Sequence, residues 1–392
     1  MKPIYFDNSA TTPLDRRVLA GMTPYLTKEF GNSGSIHSVG QRALAAVDGA
    51  RDKTADFLNC DPQEIIFTAG ATESNNLAIQ GVVNYFQKRG TKIHLITSKI
   101  EHPSVLEVMK EMEKRGVAVS YANVDNSGVV KTTEIARLIR PETVLISVMY
   151  ANNEVGSIQP IEEIASLIKT EKARRKTKDL ALYFHVDAVQ AVNYLNCDVQ
   201  KLGTDFLTMS GHKIYGPKGI GALFVRRGVK IEPLYFGGHQ EYALRPGTLN
   251  VAGIVGLGKA VELVEKERSV AVLKLKKIKR AIMGALSKIP EARFNGDAER
   301  QLPNIINVSF RRAEGESILM MLDMAGIAVS TGSACSSGSL EPSHVLSAMR
   351  IKPEWSHGSV RISLGRCNSE AEVDYFIKKL KAVILKLRSM AP

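Results

Sequence analysis

A lysine and an aspartate, each at the end of a strand-like run, carry the clearest chemistry in this sequence. Lys213 follows the run FLTMS (206–210), and Asp187 ends the apolar run LALYFHVD (180–187). A lysine shielded from water can lose its proton and act as a Schiff-base nucleophile. A carboxylate at the end of an apolar strand needs a cationic partner, such as a protonated pyridine nitrogen. Each residue also has an ordinary alternative: a solvated surface lysine, and a carboxylate that caps the next helix.

A third candidate is Cys335, which lies among small residues in the stretch STGSACSSGSLEPSH (330–344). A thiol in such a segment is either an incidental cysteine in a linker or an exposed nucleophile. In the second case, the glycines and serines around it allow the thiol to travel between a substrate and a partner. We therefore expect this segment to be poorly ordered, or variable in position, when nothing is bound.

Other polar residues could complete a ligand site. The flat ring of His102 could stack on an aromatic ligand or titrate near neutrality, although a lone histidine is more often a satisfied polar group. Arg361 presents a planar fork suited to a carboxylate, with a structural ion pair as an equal alternative. Gly70-Ala71-Thr72 opens a helix after a strand, which makes either an anion site or a plain N-cap. Gln190 lies one helical turn after Asp187, so both can face one ligand.

The order of the predicted elements explains how these residues come together. Strand-like runs alternate with amphipathic helical stretches, which predicts an α/β fold with a mainly parallel sheet and helices on both faces. The last two runs are too close for a helical crossover, so we expect one antiparallel strand at the edge of the sheet. The runs are EIIFT (64–68), KIHLIT (92–97), VAVSYANV (117–124), TVLISVMY (143–150), LALYFHVD (180–187), FLTMS (206–210) and GALFVRR (221–227).

Small or polar residues follow these strands, at the ends where α/β proteins bind ligands. Their coincidence at successive strand ends is the signal, since any one of them is ordinary. The segments are AGATESNN (69–76), SKIEHPS (98–104), ANNEVGS (151–157), DAVQ (187–190) and GHK (211–213).

The pattern changes to a long helix around residues 251–290, and strand-like and helical segments follow it. We expect a large domain over residues 13–255. A smaller α+β domain is expected from residues 1–12 together with 256–392, and it includes the cysteine segment.

Composition argues against several classes of protein. No apolar run in the 392 residues approaches the ~18 needed for a membrane span. The first residues lack the apolar core of a signal peptide, so we expect a cytoplasmic protein. The four cysteines are far apart in sequence, which predicts neither a metal site nor a disulfide framework.

The net charge of +12 has two interpretations. Because the positive charge is spread along the chain, a solvated surface that attracts acidic partners is favoured over a nucleic-acid site. The glycine-rich segments match neither a Walker A loop nor a dinucleotide fingerprint, which argues against an NTPase or a dehydrogenase.

A set of segments, spread almost from end to end, keeps one order: DNSATTP (7–13), GATESNN (70–76), EHPSVL (101–106), NNEVGSIQP (152–160), HVDAVQ (185–190), SGHKIYGPKGIGAL (210–223), RPGTLN (245–250), GSACSSGSLEPSHVL (332–346) and SVRISLGR (359–366). In this order they resemble the signature segments of cysteine desulfurases of the NifS/IscS type. That family is class V aminotransferase-like and has the fold of fold-type I pyridoxal-phosphate enzymes.

The resemblance implies a role for each candidate. Lys213 is implied to form the Schiff base with pyridoxal 5'-phosphate, and Asp187 to pair with the ring nitrogen. Gln190 matches the residue that bonds the phenolic oxygen of the cofactor. His102 matches the catalytic histidine that stacks on the ring, and Cys335 matches the catalytic cysteine.

The same resemblance implies how phosphate and substrate are held. Asn153 and Arg361 match residues that bind the substrate carboxylate, and Asn153 also belongs to the implied cofactor site. Thr248 matches a threonine that reaches the phosphate of the neighbouring subunit, which implies a homodimer. The implied phosphate cradle consists of Ala71, Thr72, Ser210 and His212.

The implied activity is the removal of sulfur from L-cysteine, which gives L-alanine and a persulfide on Cys335. The sulfur is then passed to an iron–sulfur scaffold or another acceptor protein, or to enzymes that thiolate tRNA, with no direct binding of nucleic acid and no membrane. Alternatives on the same fold are a selenocysteine lyase, a sulfinate desulfinase and an aminotransferase. An RNA-binding or scaffold protein that has lost catalysis is the alternative of another class.

Overall fold

The computed structural model describes residues 3–175, 181–331 and 343–390. The strands are β1 (Ile4–Tyr5), β2 (Ile65–Thr68), β3 (His94–Ser98), β4 (Ala118–Ala122), β5 (Thr143–Met149), β6 (Tyr183–Asp187), β7 (Phe206–Ser210), β8 (Gly221–Val225), β9 (Ala292–Asn295), β10 (Ile305–Phe310), β11 (Ile327–Ala328) and β12 (Ser359–Ser363). The helices are α1 (Arg16–Thr27), α2 (Ser38–Leu58), α3 (Ala71–Gln87), α4 (Pro103–Lys114), α5 (Thr132–Leu138), α6 (Ile161–Arg174), α7 (Val199–Leu202), α8 (Val251–Leu286), α9 (Gly315–Asp323), α10 (His344–Ala348), α11 (Pro353–Ser356) and α12 (Ala371–Met390).

Every predicted strand of the alternating region is present in a central sheet. Within the described residues this sheet has seven strands in the order β2-β8-β7-β6-β5-β3-β4. Only β8 runs in the direction opposite to that of the other six strands. The prediction of a mainly parallel α/β sheet is therefore confirmed.

The position of the antiparallel strand differs from the prediction, which placed it at the edge. β8 is second from the edge, because β2 pairs with its outer side. Gly221 at the start of β8 makes this pairing possible: a Cβ there would lie 2.8 Å from the Cα of Gly70. The spacing of the strand-like runs along the chain does not indicate which strand pairs with the outer side of β8.

Helices cover both faces of the central sheet, as expected. On one face α2 and α8 pack over side chains such as Phe184 and Phe224. On the other face α3 and α4 pack over side chains such as Leu95 and Phe206. Strands β5, β6 and β7 are buried along their whole length, because both of their faces are covered.

A second core is built around an antiparallel sheet in the order β12-β10-β9. Phe6 and Phe376 meet edge to face in this core, and α9 and α12 pack there. The N-terminal strand β1 joins it by pairing in parallel with β11. The long helix α8 connects the cores, since residues up to Val264 pack in the first and residues from Leu275 pack in the second. The domain boundary predicted between residues 255 and 256 lies within this helix and stays a prediction.

No helix in the described part of the chain is both long enough and apolar enough to cross a membrane.

Candidate active site

A cavity of about 1310 Å³ opens at the carboxyl ends of the central parallel strands. The structure brings almost all of the predicted site residues to its wall: Ala71, Thr72, His102, Asn153, Asp187, Gln190, Ser210, His212, Lys213 and Arg361. Thr248 is not among the lining residues, and its side chain is exposed on the surface of this chain. Cys335 lies outside the described residues, and so does most of the segment that we predicted to be poorly ordered or variable in position.

Lys213 lies in a short 3₁₀ turn, Gly211–Lys213, that directly follows β7. Its amine contacts the N-terminal segment, where Nζ donates to the carbonyl oxygen of Ser9 and, at 2.7 Å, to that of Ala10. Gln190 contacts the same segment, because its Nε2 donates to the Ser9 carbonyl at 3.0 Å. The N-terminal segment therefore positions both predicted cofactor contacts against the cavity.

Asp187 ends β6 and is only 5% exposed. Its two oxygens have separate partners: Oδ1 accepts from the Val189 amide at 3.0 Å, and Oδ2 accepts from Asn75 Nδ2 at 2.8 Å. Neither partner is a cation. A carboxylate held at the wall of a cavity in this way is well placed to pair with a ligand that carries a positive charge.

His102 is linked to Asp187 through a short chain of hydrogen bonds. The amide of Asn75 donates its second hydrogen to Ser104 Oγ at 2.8 Å. Ser104 Oγ lies 2.9 Å from His102 Nδ1, and the Ser104 backbone N–H donates to the same nitrogen at 3.1 Å. Because a backbone N–H can only donate, Nδ1 accepts and the ring proton is on Nε2.

The same geometry keeps His102 neutral. His102 is the N-cap of α4, and Pro103 begins the helix, which fixes the backbone on both sides of the ring. Burial lowers the pKa of His102, an effect opposed by the charge of Asp187 and assisted by that of Lys213. A neutral flat ring at the cavity wall suits stacking on an aromatic ligand.

The N-terminus of α3 forms an anion site at the cavity wall. Gly70 is its N-cap, with φ of 153°, and no side chain caps the first turn. The first amide groups of a helix have no acceptor within the helix, so those of Ala71 and Thr72 are available to a ligand. The prediction had left open a plain cap by Thr72, and here the cap is Gly70. His212 completes this side of the cavity, where burial lowers its pKa to about 4.

Arg361 is buried on β12, with 3% of its surface exposed. One terminal nitrogen pairs with Asp7 Oδ1 at 2.9 Å, and the other donates to the Asn153 carbonyl at 3.0 Å. Its Nε has no hydrogen-bond partner within the described part of the chain. Of the two alternatives at the level of the sequence, the structural ion pair is present, and the ligand site at this guanidinium stays a prediction.

Comparison with known proteins agrees with this geometry. The model of the family Aminotransferase class-V matches residues 4–376. Cysteine desulfurase IscS of Methanosarcina thermophila is 47% identical over 391 residues, which cover 100% of this chain and 94% of the relative. Its namesake in Dictyoglomus turgidum is 45% identical over 392 residues, with 100% and 97% covered.

The chain belongs to the cysteine desulfurases of the class-V aminotransferase family. Solved structures agree with this assignment of the desulfurase chain. A NifS-like protein superposes with a TM-score of 0.90 at 40% identity, over 98% of this chain and 100% of that one. SspA in complex with cysteine gives a TM-score of 0.80 at 37% identity, over 92% and 98% of the respective chains.

Cysteine desulfurases of this family depend on pyridoxal phosphate, and the cavity of this desulfurase fits that group. The uncapped start of α3 suits a phosphate, and the oriented carboxylate of Asp187 suits a protonated ring nitrogen. Lys213 supplies an amine in the same cavity. The role of each residue stays a prediction that rests on these chemical matches.

Some site residues of the desulfurase were missed at the level of the sequence. Asn75 and Ser104 link Asp187 to His102, and the carbonyls of Ser9 and Ala10 hold Lys213. Asn75 could have been found, because it lies one helical turn after Ala71 in a motif already singled out. The Ser9 and Ala10 contacts come from main-chain carbonyls, which every residue has, so the residue types give no sign of these contacts.

The described cysteines of the desulfurase are Cys60, Cys197 and Cys367. Burial raises the pKa of both Cys60 and Cys197 to about 12, so these thiols are poor nucleophiles. Cys367 is exposed, and it does not line the cavity. None of the described cysteines lines the cavity.

Proposed function

We propose that this protein removes sulfur from L-cysteine, with L-alanine and a persulfide on Cys335 as its products. The observation that carries the proposal is the convergence of Lys213, Asp187, His102 and Arg361 on one cavity in a chain of the cysteine desulfurase family. The cavity offers an amine, an oriented carboxylate, a neutral flat ring and a buried guanidinium. Cysteine offers a carboxylate that matches the guanidinium.

Pyridoxal phosphate, when bound, supplies an aldehyde that forms a Schiff base with an amine and a ring that withdraws electrons. Lys213 would supply that amine, and its Nζ would also be placed to take and return the α-proton of the substrate. Asp187 would hold a proton on the ring nitrogen, and Asn75 keeps the carboxylate of Asp187 in place. Ala71 and Thr72 offer amide groups to the phosphate.

Arg361 binds the substrate carboxylate in this proposal, with Asn153 beside it. Its place at the cavity wall, beside Asn153, supports that role. The substrate is thereby oriented with its side chain free to meet a thiol. The ion pair with Asp7 keeps the guanidinium in place before substrate arrives.

Sulfur transfer then needs a thiolate from Cys335. Its sulfur attacks the substrate sulfur, so that an S–S bond forms while the C–S bond of the substrate breaks. The carbon keeps the electron pair of the broken bond and takes up a proton, and alanine leaves. The persulfide left on Cys335 is passed to acceptor proteins for iron–sulfur cluster assembly, tRNA thiolation or both.

We further propose that the protein acts as a homodimer, with Thr248 contributing to the phosphate site of the neighbouring subunit. The exposed position of Thr248 supports this proposal. Tyr235, at the mouth of the cavity, and Phe236 are also exposed, at 57% and 85%, as expected for rings that a second subunit would cover.

The test is a stoichiometric assay. The purified protein is supplied with pyridoxal phosphate, L-cysteine and a thiol reductant that releases the persulfide, and alanine and sulfide are measured together. Equal amounts of both are expected over many turnovers. Pyruvate formation in place of alanine, or activity on selenocysteine or cysteine sulfinate without activity on cysteine, would reject the assignment.

A further inference from the structure

Glu154 is a buried carboxyl at the cavity wall with no part in the steps described above. It is 4% exposed and follows Asn153, whose carbonyl holds Arg361. Its backbone N–H donates to Asn152 Oδ1 at 2.8 Å, and its carbonyl accepts from Asn307 Nδ2 at 3.2 Å. The backbone that carries this carboxyl is therefore fixed from both sides.

Among the described residues, the carboxyl itself accepts a hydrogen bond from Ser343. Ser343 Oγ lies 2.5 Å from Glu154 Oε2. The same Oγ accepts from the backbone N–H groups of Val345 and Leu346, at 3.2 and 3.3 Å, because Ser343 caps α10. A hydroxyl oxygen that accepts at both lone pairs keeps its proton to donate, so Ser343 donates to Glu154.

We propose that Glu154 controls how tightly Arg361 binds the substrate carboxylate, binding being tight when Glu154 is neutral and weak when it is ionised. The proposal rests on the function proposed above, in which Arg361 receives that carboxylate. Glu154 and Arg361 line the same cavity. An ionised Glu154 would therefore repel an incoming carboxylate, whereas a neutral carboxyl does not. Glu154 is thus a specificity-determining residue that acts through charge.

Burial gives this carboxyl a charge that changes near neutrality. It raises the pKa of Glu154 to about 7, against the opposing effects of the Ser343 hydrogen bond and the Arg361 charge. Below that pH the neutral form prevails and binding is tight, and above it the ionised form weakens binding. The other titratable or charged residues that line the described cavity are Glu73, His102, Arg115, Asp187, His212, Lys213, Lys218, Tyr235, His344 and Arg361. Asp7 and Glu101 contact two of these, Arg361 and His344 respectively.

The experiment measures the KM for L-cysteine and the inhibition constant of L-alanine between about pH 6.5 and about pH 8.5. Alanine has the carboxylate but no thiol, so the thiol titration of the substrate does not enter. In the wild-type holoenzyme both constants are expected to rise about tenfold or more, because the competent fraction falls as Glu154 ionises. The variant Glu154→Gln cannot ionise and should keep the inhibition constant within about twofold.

Further variants make the result specific. Ser343→Ala removes a hydrogen bond that favours the ionised form, so the rise should move to higher pH, and this variant decides the matter if Glu154→Gln does not fold. Glu163→Gln, at an exposed position on α6, should behave as the wild type. The proposal is overturned if the inhibition constant of the wild type is flat, or if Glu154→Gln retains the wild-type rise. Absence of alanine formation by the wild type would instead reject the proposed function.

Discussion

Asn75 donates a hydrogen bond of 2.8 Å to the carboxylate of Asp187, across the cavity wall between α3 and the end of β6. Its other amide hydrogen reaches Ser104, which contacts His102. One amide therefore positions two predicted contacts of the cofactor ring. The oxygen of the same amide is buried without a partner in the described part of the chain, so the nitrogen alone carries these contacts.

We predict that Asn75→Ala lowers kcat by about tenfold to a hundredfold, since a hydrogen bond to a charged group contributes about 1.5–3 kcal/mol. Of the two donors that the described residues give to the Asp187 carboxylate, one would be lost, and its hold on the ring nitrogen would loosen. Steady-state alanine formation measures the effect. Gln87→Ala, at the exposed far end of the same helix, is the matched control and should match the wild type. An unchanged kcat in Asn75→Ala would mean that the hydrogen bond from Asn75 to Asp187 does not contribute to catalysis.

Lys213→Ala is predicted to abolish the visible absorbance that pyridoxal phosphate gains when it is bound to a lysine. Activity should fall by at least about a thousandfold, because both the Schiff base and the proton carrier are lost. The absorbance spectrum and the alanine assay check this together. Lys288→Ala, at an exposed position, should keep both properties. A lysine-bound spectrum that persists in Lys213→Ala would assign the Schiff base to another residue.

Arg361→Lys is predicted to raise the KM for L-cysteine by about tenfold to a hundredfold, with a smaller change in kcat. A lysine cannot keep the bonds to Asp7 and the Asn153 carbonyl and still offer a planar fork to the substrate. Arg312→Lys, on the surface, is the control, because it pairs only with Glu291 among the described residues. A KM equal to that of the wild type would leave Arg361 with the structural ion pair alone.

His185 is predicted to make folding sensitive to acid. It is fully buried between Ser147 and Thr208, with its ring nitrogens 2.8 and 3.1 Å from their hydroxyls. Burial lowers the pKa of His185 from 6.5 to about 4. Because the unfolded chain takes up the proton first, this stability is present above about pH 6.5 and is lost as pH falls towards about 4.

The variant His185→Gln removes that dependence while keeping a polar group. Between about pH 7.5 and about pH 5 the wild type should lose about 2 kcal/mol more unfolding free energy than this variant does. Urea unfolding at the two pH values measures the difference. His357→Gln, on the surface, should lose as much as the wild type. An equal loss in His185→Gln would mean that the ring is already charged in the folded state.

Sequence patterns were sufficient to predict the strands of the central sheet and the polar residues at their ends. Asp187, Lys213 and His102 could be predicted to meet, because parallel strands end at one edge of a sheet. The carbonyls of Ser9 and Ala10 could not be predicted to hold Lys213, because the contact spans about half of the chain and uses main-chain atoms.

Neither the position of β2 in the sheet nor the burial of Glu154 could be predicted from the sequence. β2 adds to the outer side of β8 through a close approach of glycines that only three-dimensional packing reveals. Glu154 resembles any acidic loop residue in sequence, and its raised pKa arises only from burial in the folded chain. Sequence patterns do not show contacts between segments that are distant along the chain, and therefore do not show the burial that these contacts cause.

The most direct test of the proposed function is a single turnover without an acceptor or reductant. The holoenzyme is mixed with L-cysteine, alanine is counted per subunit, and the cysteine-containing peptides are weighed by mass spectrometry. We predict one alanine per subunit and the added mass of one sulfur atom on the peptide that contains Cys335. Cys335→Ser should give neither product, while Cys367→Ser should give both. A persulfide on Cys60, Cys197 or Cys367, or alanine formation that survives in Cys335→Ser, would contradict the account.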